Sequence, residues 1–363
     1  CKNECLRTFI DVNVSGDAVG DTVVGESKVP LPYGTRRLIV GNACEKGLVE
    51  DVEDMSEIKK DLDAVKAANP NLAELSARAV WRSLKPAAVA DPITRYALRK
   101  ATRVRVARMR ARDRIRIGIP RALNLYSSNP LFSAYFESLG IGPRNLVYSD
   151  FTSERLYKDG AKRGSIDPCF PSKTCIPHIH NLLYVHHKKR PLDLIFFPMI
   201  DDLLSDLVNT QDSRTCPTVA TTPEAVKAAF VKEGDLFAQL GVAFLNTFVN
   251  PGKPFLFERQ MLEAFKDVLG LSQRENALAV REAYRALEAY DEALRREGRK
   301  TLDMLDHDRR IGIVVLGRPY QNDPGINHDI LGEFQKLGYP VFTQDSLPTD
   351  EDVMQQLFGE EYD

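Results

Sequence analysis

The sequence predicts an α/β protein with two repeated parallel-sheet domains, the second truncated. A small β-rich, cysteine-containing module and a helical linker precede them. Two observations carry this. Strand-like runs such as Leu194 to Met199 are apolar without polar alternation, the pattern of a sheet covered on both faces. A β-loop-α-β grammar also occurs twice: Arg116-Ile-Gly-Ile119 aligns with Arg310-Ile-Gly-Ile313, Pro130 with Pro324, and Phe136 to Gly140 with Phe334 to Gly338. Three landmarks in one order and nearly one register read as an internal repeat.

Residues 1–50 form the β-rich module, with strand-like runs at Leu6 to Val14 and Arg36 to Val40 and cysteines at positions 1, 5 and 44. Residues 51–112 read as the helical linker. Within it and just beyond, a basic helix over 95–116 carries Arg95, Arg99, Lys100, Arg103, Arg105, Arg108, Arg110, Arg112, Arg114 and Arg116 against the one acid Asp113. Such a face is a solvated helix surface, a dock for an acidic partner or a contact for phosphates. Nucleic acid is excluded, since only Tyr96 interleaves for base stacking.

The first sheet domain is assigned to 113–254. Its expected strands are Ile117 to Ile119, Asn145 to Ser149, Leu194 to Met199, Pro217 to Ala220 and Val242 to Thr247. One helix follows Asn129-Pro130, and another starts with Thr222 as N-cap and Pro223 at its first position. Residues 255–308 form a charged helical bridge, and 309–363 begin the second domain.

The 363 residues carry 43% hydrophobic and 28% charged side chains and a net charge of −2, and mean hydropathy is −0.28. These values suit a soluble chain of two domains or slightly more. No apolar run approaches the ~20 residues of a membrane helix. No leader opens the chain, so a cytoplasmic protein with reduced or metal-bound cysteines is expected. The start at Cys1 and the stop at Asp363 inside an unfinished α/β pattern read as a fragment of something longer.

The most informative stretch is Gly164 to Leu183, Gly-Ser-Ile-Asp-Pro-Cys-Phe-Pro-Ser-Lys-Thr-Cys-Ile-Pro-His-Ile-His-Asn-Leu-Leu. Cys169 stands near two prolines at the mouth of an expected helix, with Cys175 one to two turns further in. Such a position serves a disulfide, a buried thiol or a thiolate metal ligand, and a redox metal site is the reading adopted. Cys216 also adjoins proline, as cluster-ligating cysteines often do. Cys175 is a ligand or a core residue. Cys1, Cys5 and Cys44 supply three thiols where a closed zinc or cluster site takes four. His178 and His180 are two apart, share no helix face and read as structural. In a parallel sheet, ligands bind beyond the carboxyl ends of the strands. Loops 120–130, 198–202, 214–217 and 317–325 would converge there, bringing Arg121, Tyr126, Asp201, Arg318 and Tyr320. No phosphate-binding G-x-x-x-x-G-K-[ST] loop and no G-x-G-x-x-G turn is present, so the chain shows no nucleotide motif of its own.

Four segments together resemble the large activase-related proteins of the 2-hydroxyacyl-CoA dehydratase system. They are Arg116-Ile-Gly-Ile-Pro-Arg-Ala-Leu-Asn-Leu-Tyr126, Ile166-Asp-Pro-Cys-Phe-Pro-Ser-Lys173, Phe196-Phe-Pro-Met-Ile-Asp201 and Leu316-Gly-Arg-Pro-Tyr320 with Asp323-Pro-Gly-Ile-Asn-His328. The resemblance implies a dehydratase-like region of Rossmann-like domains holding an iron–sulfur cluster, 4Fe–4S or double-cubane. It implies that an activator ATPase, in a partner or an upstream domain that alone binds ATP, delivers a low-potential electron. The region would pass that electron to an acyl-CoA or another small substrate. Cys169 and Cys216 match two of the family's cluster cysteines. Cys1, Cys5 and Cys44 resemble its Cys-x-x-Cys and Gly-Asn-Arg-Cys elements, but with Cys-x3-Cys spacing and Ala43 in place of Arg. Arg121, Tyr126, Arg318 and Tyr320 would line the substrate or surround the cluster, and Asp201 would position a proton donor or cap the next helix. Two rivals make different predictions: a non-catalytic docking module for the ATPase would bind no metal, and a zinc-stabilised domain would bind zinc alone.

Overall fold

The computed structural model describes residues 8–13, 35–40, 52–93, 98–163, 169–205, 213–350, 353–355 and 359. The chain divides into two compact bodies, one of Cys1–Pro70 with Gln335–Gly338, the other of Asn71–Phe334 with Tyr339–Asp363.

In the smaller body, β1 (Thr8–Asn13) and β2 (Thr35–Val40) pair antiparallel from Thr8↔Val40 to Asn13↔Thr35, the first within its expected run and the second starting one residue before its own. Cys1, Cys5 and Cys44 lie outside the described residues. Helix α1 (Val52–Ala68) opens on Glu53 and Asp54 and closes on Lys66, charges that complement its dipole. The Gln335 amide donates to the carbonyls of Lys66 and Asn69 at 3.0 and 2.6 Å, satisfying the helix end.

The larger body starts with α2 (Leu72–Ala79), capped by the Asn71 side chain. Pro86 and Pro92 keep the following stretch out of helix, and α3 (Lys100–Ala111) forms beyond them. The basic helix is therefore shorter than expected. Several of its cations are engaged internally: Arg105 pairs with Asp91, Arg108 with Asp267, and buried Arg112 with buried Glu275. The run is thus only in part a free surface.

A four-stranded parallel sheet follows, ordered β4-β3-β5-β7. Strand β3 (Ile117–Ile119) leads into α4 (Leu125–Ser138), β4 (Leu146–Tyr148) and α5 (Glu154–Gly160). Short helices α6 (Phe170–Lys173) and α7 (Cys175–Asn181) then run through a π turn into β5 (Leu194–Phe196) and β6 (Met199–Ile200). Ile117 stands opposite both Leu146 and Leu194, and Leu194 opposite Ala243. Every residue of β3 and β5 is buried, as apolar strands without alternation require. Pro130 does not precede its helix but lies inside α4, which starts five residues earlier after the turn at Ala122 to Asn124.

Pro217 to Ala220 is helix, not strand. Pro217 takes the first position of α8 (Pro217–Val231), where its fixed φ fits and its missing N–H costs nothing. Thr222 and Pro223, expected as the start of this helix, are buried in its interior. Helix α9 (Leu236–Leu240), β7 (Ala243–Leu245) and β8 (Phe248–Val249) complete the sheet region, with β8 parallel to β6.

The bridge is helical as expected, in α10 (Pro254–Phe265) and the 36-residue α11 (Gln273–Asp308). The Ser272 side chain caps the start of α11, which packs along α4. Then β9 (Ile313–Val315), α12 (Ile330–Lys336) and β10 (Val341–Thr343) follow, the two strands parallel. Against the alignment with Ile117–Ile119, β9 starts at the last aligned residue, and Pro324 lies in a turn where Pro130 lies in a helix. The architecture is mixed α/β around a four-stranded parallel sheet, mostly helical. No helix among the described residues is long and apolar enough to cross a membrane.

Candidate functional site

Cys169 and Cys216 occupy equivalent places, each the N-cap of a helix whose first turn contains proline. Two hydroxyls tie the helix opened by Cys169 to the interior of the helix opened by Cys216: Cys169 Sγ lies 3.3 Å from Ser172 Oγ, and Thr222 Oγ1 donates to that oxygen at 2.9 Å. Both cysteines are half-buried. The N–H of Val219 holds the Cys216 thiol below its ordinary range, helped by Thr218 and the positive charge of Arg318. Tyr320 is buried, and that burial raises its phenol, with the charges of Cys216 and Cys169 adding to the rise. The charges of Cys216 and Cys169 thus reach the Tyr320 phenol, and that of Arg318 reaches Cys216. Arg318 is exposed at the start of the turn that carries Tyr320. Cys175 differs from the other two cysteines. It is fully buried, its thiol donates to the Pro171 carbonyl at 3.4 Å, and burial pushes it well above the ordinary thiol range.

A second polar group lies behind the thiols. The Arg121 N–H donates to Ser149 Oγ at 2.8 Å, and Ser149 Oγ meets His178 Nδ1 at 2.8 Å. His178 Nε2 meets Thr152 Oγ1 at 3.0 Å, and that hydroxyl donates to Asp323. Gly325 closes the turn through its N–H to Asp323 at 2.9 Å, and a Cβ there would come within 2.5 Å of the Thr152 carbonyl oxygen. Burial pushes His178 down to about 3, so the imidazole is neutral and serves as a relay of hydrogen bonds. Burial also raises the Asp323 carboxyl. The Tyr126 phenol, fully buried beside Asp323 and Thr152, is raised for the same reason. His178 is structural, as its sequence position suggested, while Ser149 and Thr152 carried no sequence signal.

Asp201 accepts from Arg214 at 3.0 Å and from the Asn250 amide at 3.0 Å. Its neighbour Asp202 is buried and accepts from the Gly252 N–H at 2.9 Å. These carboxylates hold the 198–202 loop to the 250–252 turn, which is the role geometry gives Asp201. Arg121 stands apart from them, its guanidinium 4.0 Å from the Phe151 ring centroid.

A cavity of about 410 Å³ lies against α11. Ser127 and Ser128 of α4, Leu203, Leu204 and Pro251 form one wall, and Pro319 and Asp345 lie beyond the ends of β9 and β10. The wall supplied by α11 carries Glu288, Asp291, Glu292 and Arg295. Burial, then repulsion from Asp345, pushes Asp291 up to about 7. Asp291 and Asp345 belong to distant segments that nothing in the sequence links.

Among the described residues no group of three or more His, Cys, Asp or Glu could hold a metal ion. Cys169 and Cys216 are two thiols, a partial donor set. A family model described as the CoA enzyme activase uncharacterised domain matches residues 116–347. No curated protein and no solved structure matches the chain.

Proposed function

This chain belongs to the family of the CoA enzyme activase uncharacterised domain, and from that premise we propose that it is the electron-accepting, dehydratase-like portion of an ATP-dependent iron–sulfur reductase. Cys169 and Cys216 would supply two ligands of the cluster. The observation that carries this reading is the Ser172–Thr222 contact, which ties the segment opened by Cys169 to the helix opened by Cys216 over 50 residues in sequence. A cluster so held would supply single electrons at low potential. The chain's own residues prepare the site: the Val219 N–H favours the Cys216 thiolate, Ser172 orients Cys169, and the positive charge of Arg318 favours the Cys216 thiolate as well. Donors placed around ligating sulfur tune its potential. The remaining ligands would come from outside this set of described residues.

In this reading the units β3–α4–β4 with β5 and β7, and β9–α12–β10, are two Rossmann-like domains. The ATPase lies in a partner or an upstream domain. The 410 Å³ cavity, with four carboxylates and one arginine on its walls, favours a small substrate over the polyanionic CoA moiety. The docking-module reading is weakened because Arg105, Arg108 and Arg112 are already paired within the chain.

Thiol labelling tests the proposal. After anaerobic incubation with ferrous iron and sulfide, Cys169 and Cys216 should lose maleimide labelling together, and each single alanine variant should restore labelling of the other. Unchanged labelling of both would overturn the reading.

A further inference from the structure

The loop after β3 presents Arg121, a cation that makes no ion pair among the described residues. The Arg121 guanidinium carbon lies 4.0 Å from the ring centroid of Phe151 and 5.6 Å from those of both Trp81 and Tyr148. Trp81 in turn packs edge-on against Tyr126 and Tyr148 at 5.1 and 5.2 Å. Among the described residues no carboxylate stands within ion-pair distance of Arg121. Of the nearby acids, Asp150 accepts from Asn181 at 2.9 Å and meets His186 at 3.1 Å, while Asp323 accepts from Thr152 and Gly325. The Arg121 Nε is buried with no acceptor, and the indole N–H of Trp81, a residue only 7% exposed, is buried with none either.

Native proteins rarely leave buried donors unpaired, and here two such donors belong to side chains in contact, the Arg121 guanidinium lying 5.6 Å from the Trp81 ring centroid, with one of them cationic, a pairing suited to an anion. The aromatic rings pack around the guanidinium, and a planar guanidinium takes oxyanions through in-plane contacts of its N–H groups. The loop also sits beyond the carboxyl end of β3, where ligands of parallel sheets bind. Burial draws the Arg121 pKa below its ordinary value, against the opposing influence of Asp150 and Asp323.

We propose that Arg121 and the Trp81 indole N–H form a binding site for the oxyanion of a small ligand, a carboxylate or a phosphate. The site is independent of the thiol pair, so it can be measured on metal-free protein whether or not a cluster forms.

Trp81 is the chain's one tryptophan, so intrinsic emission reports on this site directly. Metal-free protein is titrated with inorganic phosphate, with acetate, and with sodium chloride at matched ionic strength. A saturable emission change with phosphate or acetate, absent with chloride, is expected. Saturation by phosphate alone assigns a phosphate, and saturation by acetate alone assigns a carboxylate. Arg121→Gln should weaken binding about tenfold or more, and Arg121→Lys, which keeps the charge without the fork, should weaken it less. Equal responses to all three salts, or unchanged affinity in a folded Arg121→Gln, would overturn the proposal. If Arg121→Gln does not fold, the chloride comparison on the parent protein and the Arg121→Lys titration still decide.

Discussion

The hydroxyls of Ser172 and Thr222 meet at 2.9 Å, and through this contact the segment opened by Cys169 is fastened to the helix opened by Cys216. Ser172 is fully buried and also faces the Cys169 sulfur, so its loss removes the hydroxyl that both Cys169 and Thr222 meet, although Thr222 keeps the Thr218 carbonyl at 2.7 Å. Ser172→Ala should lower stability by about 1–2 kcal/mol, read by urea unfolding. It should also uncouple the maleimide labelling of Cys169 from that of Cys216. A variant as stable as the parent, with the two thiols still responding together, would show that the contact positions nothing.

Arg112 and Glu275 form a two-pronged pair at 2.7 and 3.0 Å, both side chains buried. The arginine also donates to the carbonyls of Leu269, Leu139 and Gly270, so it is fully satisfied. Glu275→Gln would leave that cation buried without its counter-charge, and a loss of about 3–5 kcal/mol is expected. Replacing both residues with apolar ones, Arg112→Met with Glu275→Leu, should recover part of the loss. Thermal unfolding of the single and double variants checks both statements.

Cys216 should alkylate with iodoacetamide at a lower pH than an ordinary thiol. The Val219 N–H lowers its pKa, so the thiolate persists as pH falls. Cys175, raised by burial, should remain unmodified until the protein unfolds. Mass-spectrometric rates between pH 6 and 9 measure the difference, and a Cys216 profile centred at or above the free-cysteine value would contradict the assigned hydrogen bonding.

Asp291 links the acidic cavity to pH. Its folded pKa of about 7 stands above the ordinary 3.8, so the native state keeps a proton that the unfolded chain releases. The stabilisation is complete below pH ~4 and is lost as pH rises through 7. Asp291→Asn should therefore match the parent near pH 4 and exceed it near pH 8 by about 1–3 kcal/mol, a range reduced for the group's partial exposure. Denaturant midpoints at the two pH values decide the sign.

How much of this was legible in the sequence depends on the range of the forces involved. Strands β3, β4, β5 and β7 declare themselves through short apolar runs, and their parallel pairing follows from the helices between them. The start of α8 was misread because Pro217-Thr-Val-Ala is β-branched in its centre. The position of Pro217 in the first turn outweighs that propensity. Cys169 and Cys216 were visible through their proline neighbours, whereas Ser172, Thr152 and Asp323 act through contacts with distant segments that carry no periodic signal. The basic run was legible as charge but not as pairing, because Glu275 and Asp267 lie far along the chain.

The measurement that bears most directly on the central reading is the iron and acid-labile sulfide content of anaerobically prepared protein, taken beside Cys169→Ala and Cys216→Ala. The account predicts both elements together in the parent chain and a marked fall of both in each variant, with folding unchanged by circular dichroism. Parent protein without iron and sulfide, or variants that retain them in full, would contradict the assignment of these two thiols to a cluster.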